Sequence, residues 1–297
     1  MKDEIKKLCG ETLFDEPMSR YTTLRVGGAA DALVYPRQVE ELSKLLLWTK
    51  SRKIPHFVLG AGSNLLVRDK GIRGIVVSLS RGFSAIRKED EKTVYVETGV
   101  GLPRLVDWTA QEGLSGIEAL AGIPGNVGGA LFMNAGTRKG EIGTVVQEVT
   151  FVEKDGKLVT WPKEKIRFEY RKSHFPQGAV LLSARLSLNP ASPESIREKI
   201  QADREKRIET QPLNVPNIGS VFKNPSKGHA GFYIEESGLK NVRVGGARVS
   251  PKHANFIVNE GQASARDVLA LVGLIRDKVK ERHGVLLEPE IRIVGEE

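Results

Sequence analysis

Apolar positions along the chain switch between a helical and a two-residue period, and the switches mark the elements. Residues 39–52, VEELSKLLLWTKSR, repeat apolar side chains three and four apart, which predicts an amphipathic helix stopped by Pro55. HFVLG then reads as a short buried strand, with LLV and GIVVSLS as further strand segments and TVYVE at 93–97 as another. LPRLVDWTAQEG at 102–113 returns to helical spacing and closes on Gly113. VVQEVTFVE at 145–153, an Asp-Gly turn and LVTW predict a hairpin, and AVLLSARLSL at 179–188 predicts a long strand.

NPASP at 189–193 marks a boundary. Ser192 can cap a helix with Pro193 at its first position, and the helix runs to about residue 210 with Ile196, Ile200 and Ile208 as its apolar stripe. Ser264 and Asp267 have the spacing of a capping box. The helix they open puts Val268, Leu271, Val272, Ile275 and Val279 on one face, and the terminal VLLEPEIRIVG reads as a strand. Residues 1–188 are therefore expected to be β-rich, and 200–297 to form a smaller α+β unit. The alternation is not a βαβ series, and no internal repeat is visible.

Composition is that of an ordinary globular chain except in glycine, 31 of 297 residues. Cys9 is the one cysteine, so no disulfide can form within the chain, and it reads as a near-terminal surface thiol. MKDEIKKLCGETLFDEP has no apolar core, and no stretch approaches the roughly 20 apolar residues of a membrane span. A soluble, cytoplasmic protein with no membrane partner is expected. The net charge of +8 attracts anions. The charges alternate in sign, as in REKIQADREKR, and lack aromatic interleaving, so nucleic acid is not expected as a partner. Five scattered histidines, without HExxH or CxxC, give no metal set.

GAGSN at 60–64 follows a strand and carries two glycines of a dinucleotide fingerprint. Leu65 replaces the third, and a strand-like LLV follows in place of a helix, so a Rossmann site fails its own context. Gly60 and Gly62 fit either an anion nest with Ser63 and Asn64 or a tight turn. No GxxxxGK[ST] occurs. AGIPGNVGGALFMNAG at 121–136 is dense in glycine yet too apolar for a linker, which suggests backbone packed against a flat or extended ligand. Two such loops suit a dinucleotide.

Three later segments carry unusual polar residues. FEYRKSHF at 168–175 holds Tyr170, Arg171 and Ser173, GSVFKNP at 219–225 holds Ser220, Lys223 and Asn224, and LEPEIRI at 287–293 holds Glu288, Glu290 and Arg292. A period of two would put the last three on one face of a strand.

Together with YTTLRVGGAAD at 21–31 and VGGARVSPKHANFIVN at 244–259, these motifs resemble, in order from about residue 19 to 295, the UDP-N-acetylenolpyruvoylglucosamine reductase family. The resemblance implies an α+β fold: an FAD-binding domain of the vanillyl-alcohol-oxidase type in two subdomains (1–75 and 76–190), then an α+β substrate domain (195–297). It implies bound FAD, NADPH as co-substrate, and a UDP-sugar enol ether reduced for peptidoglycan synthesis by a monomeric enzyme. Arg171, Ser220 and Glu290 fall on the catalytic positions, with the serine as proton donor. Tyr170, Asn224 and Arg292 fall on substrate positions. The cofactor positions are Gly60, Ala61, Gly62, Ser63, Asn64 and Leu65 in the first loop. In the second they are Gly122, Ile123, Pro124, Gly125, Val127, Gly128, Asn134 and Gly136. NAGTRKGE departs from the family's usual NAGAYGGE, and the short segment between Asn224 and Phe232 resembles the family's short form.

Overall fold

A computed structural model describes residues 2–297. They form two compact units that interleave in sequence. The first comprises residues 2–15, Asp31–Ala61 and Gly74–Glu205, and the second comprises Glu16–Ala30, Gly62–Arg73 and Lys206–Glu297.

The first unit has two cores. One lies under the helix Val39–Arg52, which buries Leu42, Leu45, Leu46 and Thr49 on a single face, the spacing its sequence predicted. Ala32, Val34, Ile75 and Val77 meet that face from neighbouring strands, and His56–Leu59 runs parallel to Ile75–Ser78. The other core is built on an antiparallel five-stranded sheet in the order Leu158–Pro162, Val146–Val152, Val180–Ser187, Thr93–Glu97, Ile86–Lys88. The strand Val180–Ser187 is central and buried along most of its length, whereas Thr93–Glu97 turns only Val94 and Val96 inward. The helices Leu102–Gln111 and Val127–Met133 contribute Leu102, Leu105, Val106, Val127 and Leu131 to the same cluster. Each such aliphatic side chain taken from water contributes about 1.5–3 kcal/mol.

The second unit is a four-stranded antiparallel sheet in the order Asn217–Ser220, Phe256–Asn259, Ala247–Val249, Arg243–Val244. The helix Ala265–His283 covers it and buries the face predicted from Val268 to Val279. The early segments belong to this core as well: Leu24, Val26 and Leu66 are buried in it. Leu65–Val67 pairs in parallel with Arg292–Val294. Asp69 fixes the segment further, because its two carboxylate oxygens accept from the Ala265 and Arg266 backbone N–H groups at 2.7 and 3.0 Å. Those donors have no partner inside their helix.

The structure corrects four sequence expectations. Cys9 is fully buried, and burial pushes its thiol up to about 11, so it is not a surface group. Ile208 is 61% exposed, so the apolar stripe of Pro193–Thr210 ends at Ile200. The terminal strand is only Arg292–Val294, and a bend at Ile291 breaks the two-residue period through Glu288, Glu290 and Arg292. HFVLG is a strand but only partly buried, with Val58 38% exposed.

The predicted capping box is present. Ser264 Oγ accepts from the Asp267 N–H at 3.1 Å, and Asp267 Oδ2 accepts from the Ser264 N–H at 2.9 Å. That second bond holds the Asp267 carboxyl below its ordinary 3.8. A depressed carboxyl pKa stabilises the fold above the unfolded value and loses that contribution as pH falls through the folded one. Ser264→Ala should cost about 1 kcal/mol, or about 2 °C in Tm. The Tm difference between wild type and Asp267→Asn should be present at neutral pH and shrink as pH drops below 3.8; calorimetry across pH checks both.

Candidate active site

In the first unit the second glycine loop is held against the segment that ends the strand Thr93–Glu97. The segment after Ala121 runs antiparallel to residues 98–102: Leu102 N–H donates to Gly125 O at 2.8 Å, Val127 N–H to Val100 O at 2.9 Å, and Gly128 N–H to Thr98 O at 2.9 Å. Asn126 Nδ2 donates to Gly99 O at 2.5 Å. A Cβ built on Gly60 has Asn126 Oδ1 as its nearest neighbour, at 3.9 Å. Gly60 therefore lies beside the second loop with open space at its backbone.

The predicted cofactor glycines have different roles. Gly62 has φ +65°, and a Cβ there would sit 1.9 Å from the Tyr21 carbonyl oxygen. Only glycine fits that contact, and the contact is with the protein itself. A Cβ on Gly136 would lie 2.5 Å from Gly140 O, and one on Gly128 would lie 3.0 Å from Thr98 Cβ. Gly101 and Gly129, by contrast, would meet nothing within 4 Å. Neither was among the cofactor positions expected from sequence; Gly129 stands in the Gly-Gly pair of GNVGGA. Gly60 and Gly129 are exposed and Gly101 is half-buried, so the backbone at all three is open to a ligand.

Tyr170 and Arg171 are the two tip residues of a tight hairpin, in which Phe168 pairs with Ser173 and Glu169 with Lys172. Arg171 takes φ +57°, which costs a branched-backbone residue about 1–2 kcal/mol. Its Nη2 donates to Gly136 O at 2.9 Å, and its guanidinium lies 4.9 Å from the centroid of the Tyr170 ring. The hairpin is tied down from below. Asn134, 1% exposed, donates from Nδ2 to Glu141 Oε2 at 2.6 Å and to Glu169 O at 3.0 Å, and accepts from Gly143 N–H at 3.0 Å. Ser173 Oγ donates to Phe132 O at 2.7 Å. His174 beside Glu169 holds that carboxyl below its ordinary value. The Asn134 amide, expected on the cofactor, thus serves the hairpin that presents Arg171.

The second unit carries Ser220 and Glu290 on neighbouring backbones. Glu290 N–H donates to Val221 O at 2.8 Å, Phe222 bridges Pro289, and Lys223 N–H donates to Glu288 O at 2.9 Å. Ser220 and Glu290 are both half-buried. Lys223 Nζ pairs with Glu288 Oε1 at 2.5 Å. Asn64 Nδ2 donates to Glu290 O at 3.1 Å, and Asn64 O accepts from Arg292 N–H at 2.9 Å. Asn64 and Leu65 therefore tie the glycine loop to the segment bearing Glu290. Asn224 Oδ1 accepts from Ala230 N–H at 3.1 Å, so its carbonyl serves the helix Ala230–Glu236. Arg292 is exposed. A serine hydroxyl can pass a proton, and a guanidinium on a rigid tip can stabilise developing negative charge. Among the described residues, no group of three or more His, Cys, Asp or Glu could hold a metal ion.

The family profile described as "FAD binding domain" matches residues 30–161, and that described as "UDP-N-acetylenolpyruvoylglucosamine reductase, C-terminal domain" matches 211–294. The UDP-N-acetylenolpyruvoylglucosamine reductase of Geobacter metallireducens is 43% identical over 302 residues, covering 100% of both chains. That of Syntrophomonas wolfei is 41% identical over 284 residues, covering 95% of each. This chain belongs to the UDP-N-acetylenolpyruvoylglucosamine reductase family. The crystal structure of the family member from Thermus caldophilus superposes with a TM-score of 0.81 at 40% identity, over 95% of this chain and 98% of that one. The fold is thus α+β, with an FAD-binding domain of the vanillyl-alcohol-oxidase type and the family's own C-terminal domain. A Physcomitrella patens BBE-like protein shares the fold over 63% of this chain and 44% of its own, with a TM-score of 0.51 at 19% identity.

Asn134→Ala should leave the buried Gly143 N–H unpaired and cost about 1–3 kcal/mol. Urea unfolding should show that loss, and amide exchange across 168–173 should accelerate before other segments of the sheet.

Proposed function

We propose that this chain is an FAD-dependent, NADPH-driven reductase that converts UDP-N-acetylglucosamine enolpyruvate to UDP-N-acetylmuramate in peptidoglycan precursor synthesis. The observation that carries the reading is the pairing of the Ser220 and Glu290 segments through Glu290 N–H and Val221 O, in a chain of this family. The open backbone at Gly60, Gly101 and Gly129 fits a flavin dinucleotide, and we assign the FAD contacts to residues 60–65 and 122–129. When bound, FAD carries hydride from NADPH to the methylene carbon of the enol ether.

The chain's own residues complete the reaction. Arg171, braced on Gly136 O, stabilises the negative charge that develops on the substrate's carboxylate. The Ser220 hydroxyl gives its proton to the adjacent carbon, and Glu290 relays a proton to the serine. Because Asn134 holds the hairpin and Glu290 is tied by its backbone to both Asn64 and Val221, these groups reach the reaction preorganised. Tyr170, Asn224 and Arg292 are assigned to the substrate; for Asn224 the free part is its amide NH₂ side, since Oδ1 serves Ala230. The net charge of +8 suits a diphosphate-bearing substrate.

We assign residues 1–75 and 76–190 to the FAD subdomains and 195–297 to the substrate domain. Segments 16–30 and 62–73 fall in the second unit and interrupt the first of these assignments. The enzyme is proposed to act as a cytoplasmic monomer. Among the described residues no helix is long and apolar enough to cross a membrane.

Gly129 lies within the helix Val127–Met133, where a Cβ touches nothing of the protein. Gly129→Ala should therefore raise the stability of FAD-free protein by about 0.5–1 kcal/mol through helix propensity while weakening FAD retention; Tm of the apoprotein and the flavin absorbance after gel filtration measure the two effects. Ser220→Ala should leave bleaching of the flavin band by NADPH unchanged and slow its return, on adding the enolpyruvyl UDP-sugar, by about 10²–10⁴-fold. Recolouring at the wild-type rate in stopped flow would remove Ser220 from the mechanism.

A further inference from the structure

We infer that Asn255 is a positioning residue for Ser220, its side chain replacing a strand partner that the backbone does not supply. The inference rests on the proton-donor role proposed for Ser220.

The strand Asn217–Ser220 pairs with Phe256–Asn259, with Asn217 opposite Val258 and Ser220 opposite Phe256. Beyond that point the partner chain turns away: Phe256 N–H donates to His253 O at 3.0 Å, and Ser250 N–H donates to Phe256 O at 2.8 Å. Val221 N–H still reaches Asn255 O at 2.9 Å. For Phe222 the Asn255 amide takes over, with Oδ1 accepting from Phe222 N–H at 2.9 Å and Nδ2 donating to Phe222 O at 2.8 Å. A carboxamide carries the same donor and acceptor as a peptide group, so it extends the ladder by one residue. Asn255 is 4% exposed and Phe222 1%, so these groups have little access to water.

The other edge of the same segment is held by Glu290 N–H on Val221 O and by Lys223 N–H on Glu288 O. Residues 221–223 are thus clamped on both edges, with Ser220 immediately before the clamp and Glu290 part of it. The position of Asn255 is itself fixed, because its N–H donates to His253 Nδ1 at 3.2 Å. Burial lowers the His253 pKa from its ordinary 6.5, which keeps that nitrogen available as an acceptor. A side chain that merely filled space would not need both polar ends satisfied by one distant residue.

The test compares Asn255→Leu, which keeps the volume and loses both bonds, with wild type, each purified with FAD. Amide exchange in the peptide 218–224, measured without substrate, should accelerate by about tenfold or more as the Phe222 N–H loses its acceptor. Bleaching by NADPH should stay within about twofold of wild type. The return of flavin absorbance with saturating UDP-N-acetylglucosamine enolpyruvate should slow by about 10–100-fold, the cost of misplacing a reacting group by about 1 Å, with half-saturation nearly unchanged. In a Ser220→Ala background the same substitution should cost less than about twofold, because there is no hydroxyl left to position.

Wild-type recolouring despite faster exchange would overturn the inference, and so would an equal loss in the Ser220→Ala background or equal losses in both half-reactions. If Ser220→Ala alone recolours normally, the proton-donor reading fails instead, and the single variants separate the two failures. Asn255→Ser, which can make one of the two bonds, should lose less than the leucine variant and serves if that variant does not take up FAD. Failure of both to hold FAD would give Asn255 a purely structural role and overturn the proposal.

Discussion

The pairing of Leu65–Val67 with Arg292–Val294 is the constraint on which the acid-bearing side of the site depends. It is parallel, so its two strands cannot be joined by a tight turn, and here residues 68–291 lie between them. Strand pairing sets register in whole residues. Once Leu65 is opposite Arg292, Asn64 falls next to Glu290, and its amide closes on the Glu290 carbonyl. Glu290 is then in register with Val221, the residue that follows Ser220. One non-local contact thus carries the position of a glycine loop into the position of a carboxylate. Contacts of such separation cost loop-closure entropy before they contribute stability. That cost is offset by the core around Leu66, Phe222, Ile257 and Leu271, and by the Asp69 carboxylate at the start of Ala265–His283.

The other half of the chemistry rests on a local device. Arg171 occupies a left-handed backbone position at the tip of a two-residue hairpin loop, where glycine or asparagine is the usual choice. Its strain persists because the hairpin is over-determined by Asn134 on the Glu169 carbonyl, Ser173 on the Phe132 carbonyl and the guanidinium on Gly136 O. The side chain proposed to stabilise charge also makes one of the bonds that keep the tip in shape. A rigid cation of this kind reorganises little when charge develops beside it.

Elements whose determinants are local were legible in the sequence. Val39–Arg52 and Ala265–His283 follow from apolar spacing and, for the second, from Ser264 and Asp267; the hairpin of Val146–Val152 with Leu158–Pro162 follows from alternation around an Asp-Gly turn. What escaped has a distant partner. Cys9 is buried in a cluster that includes Leu45 and Val77, which its own segment does not announce. Ile208 has the right spacing for a buried stripe, yet nothing in the chain's periodicity says where the underlying core ends. Residues 16–30 and 62–73 read as parts of one continuous N-terminal region, and their membership of the second unit depends on Asp69, Leu24 and Leu66 meeting residues some two hundred positions later. Within the site, the residue types were legible and their division of labour was not. Gly62 and Gly60 look alike in sequence, but one is required by the Tyr21 carbonyl and the other faces open space.

The asparagines show why that division is hard to read. Asn64, Asn134 and Asn224 lie at positions expected to contact a ligand and Asn255 does not, yet each spends at least one amide atom on a backbone group of the protein. A carboxamide is the side chain that copies a peptide bond, so it can complete a ladder, cap a short helix or brace a hairpin wherever the backbone runs out of partners. Near a site assembled from irregular segments, backbone groups run out often, and those left buried and unpaired cost more than ordinary hydrogen bonds gain. Asparagine is therefore drawn to such a site by the needs of the fold as strongly as by those of the ligand. The groups proposed for the chemistry are ones no peptide mimic could supply: a guanidinium at Arg171 in the first unit, and a hydroxyl and a carboxylate at Ser220 and Glu290 in the second.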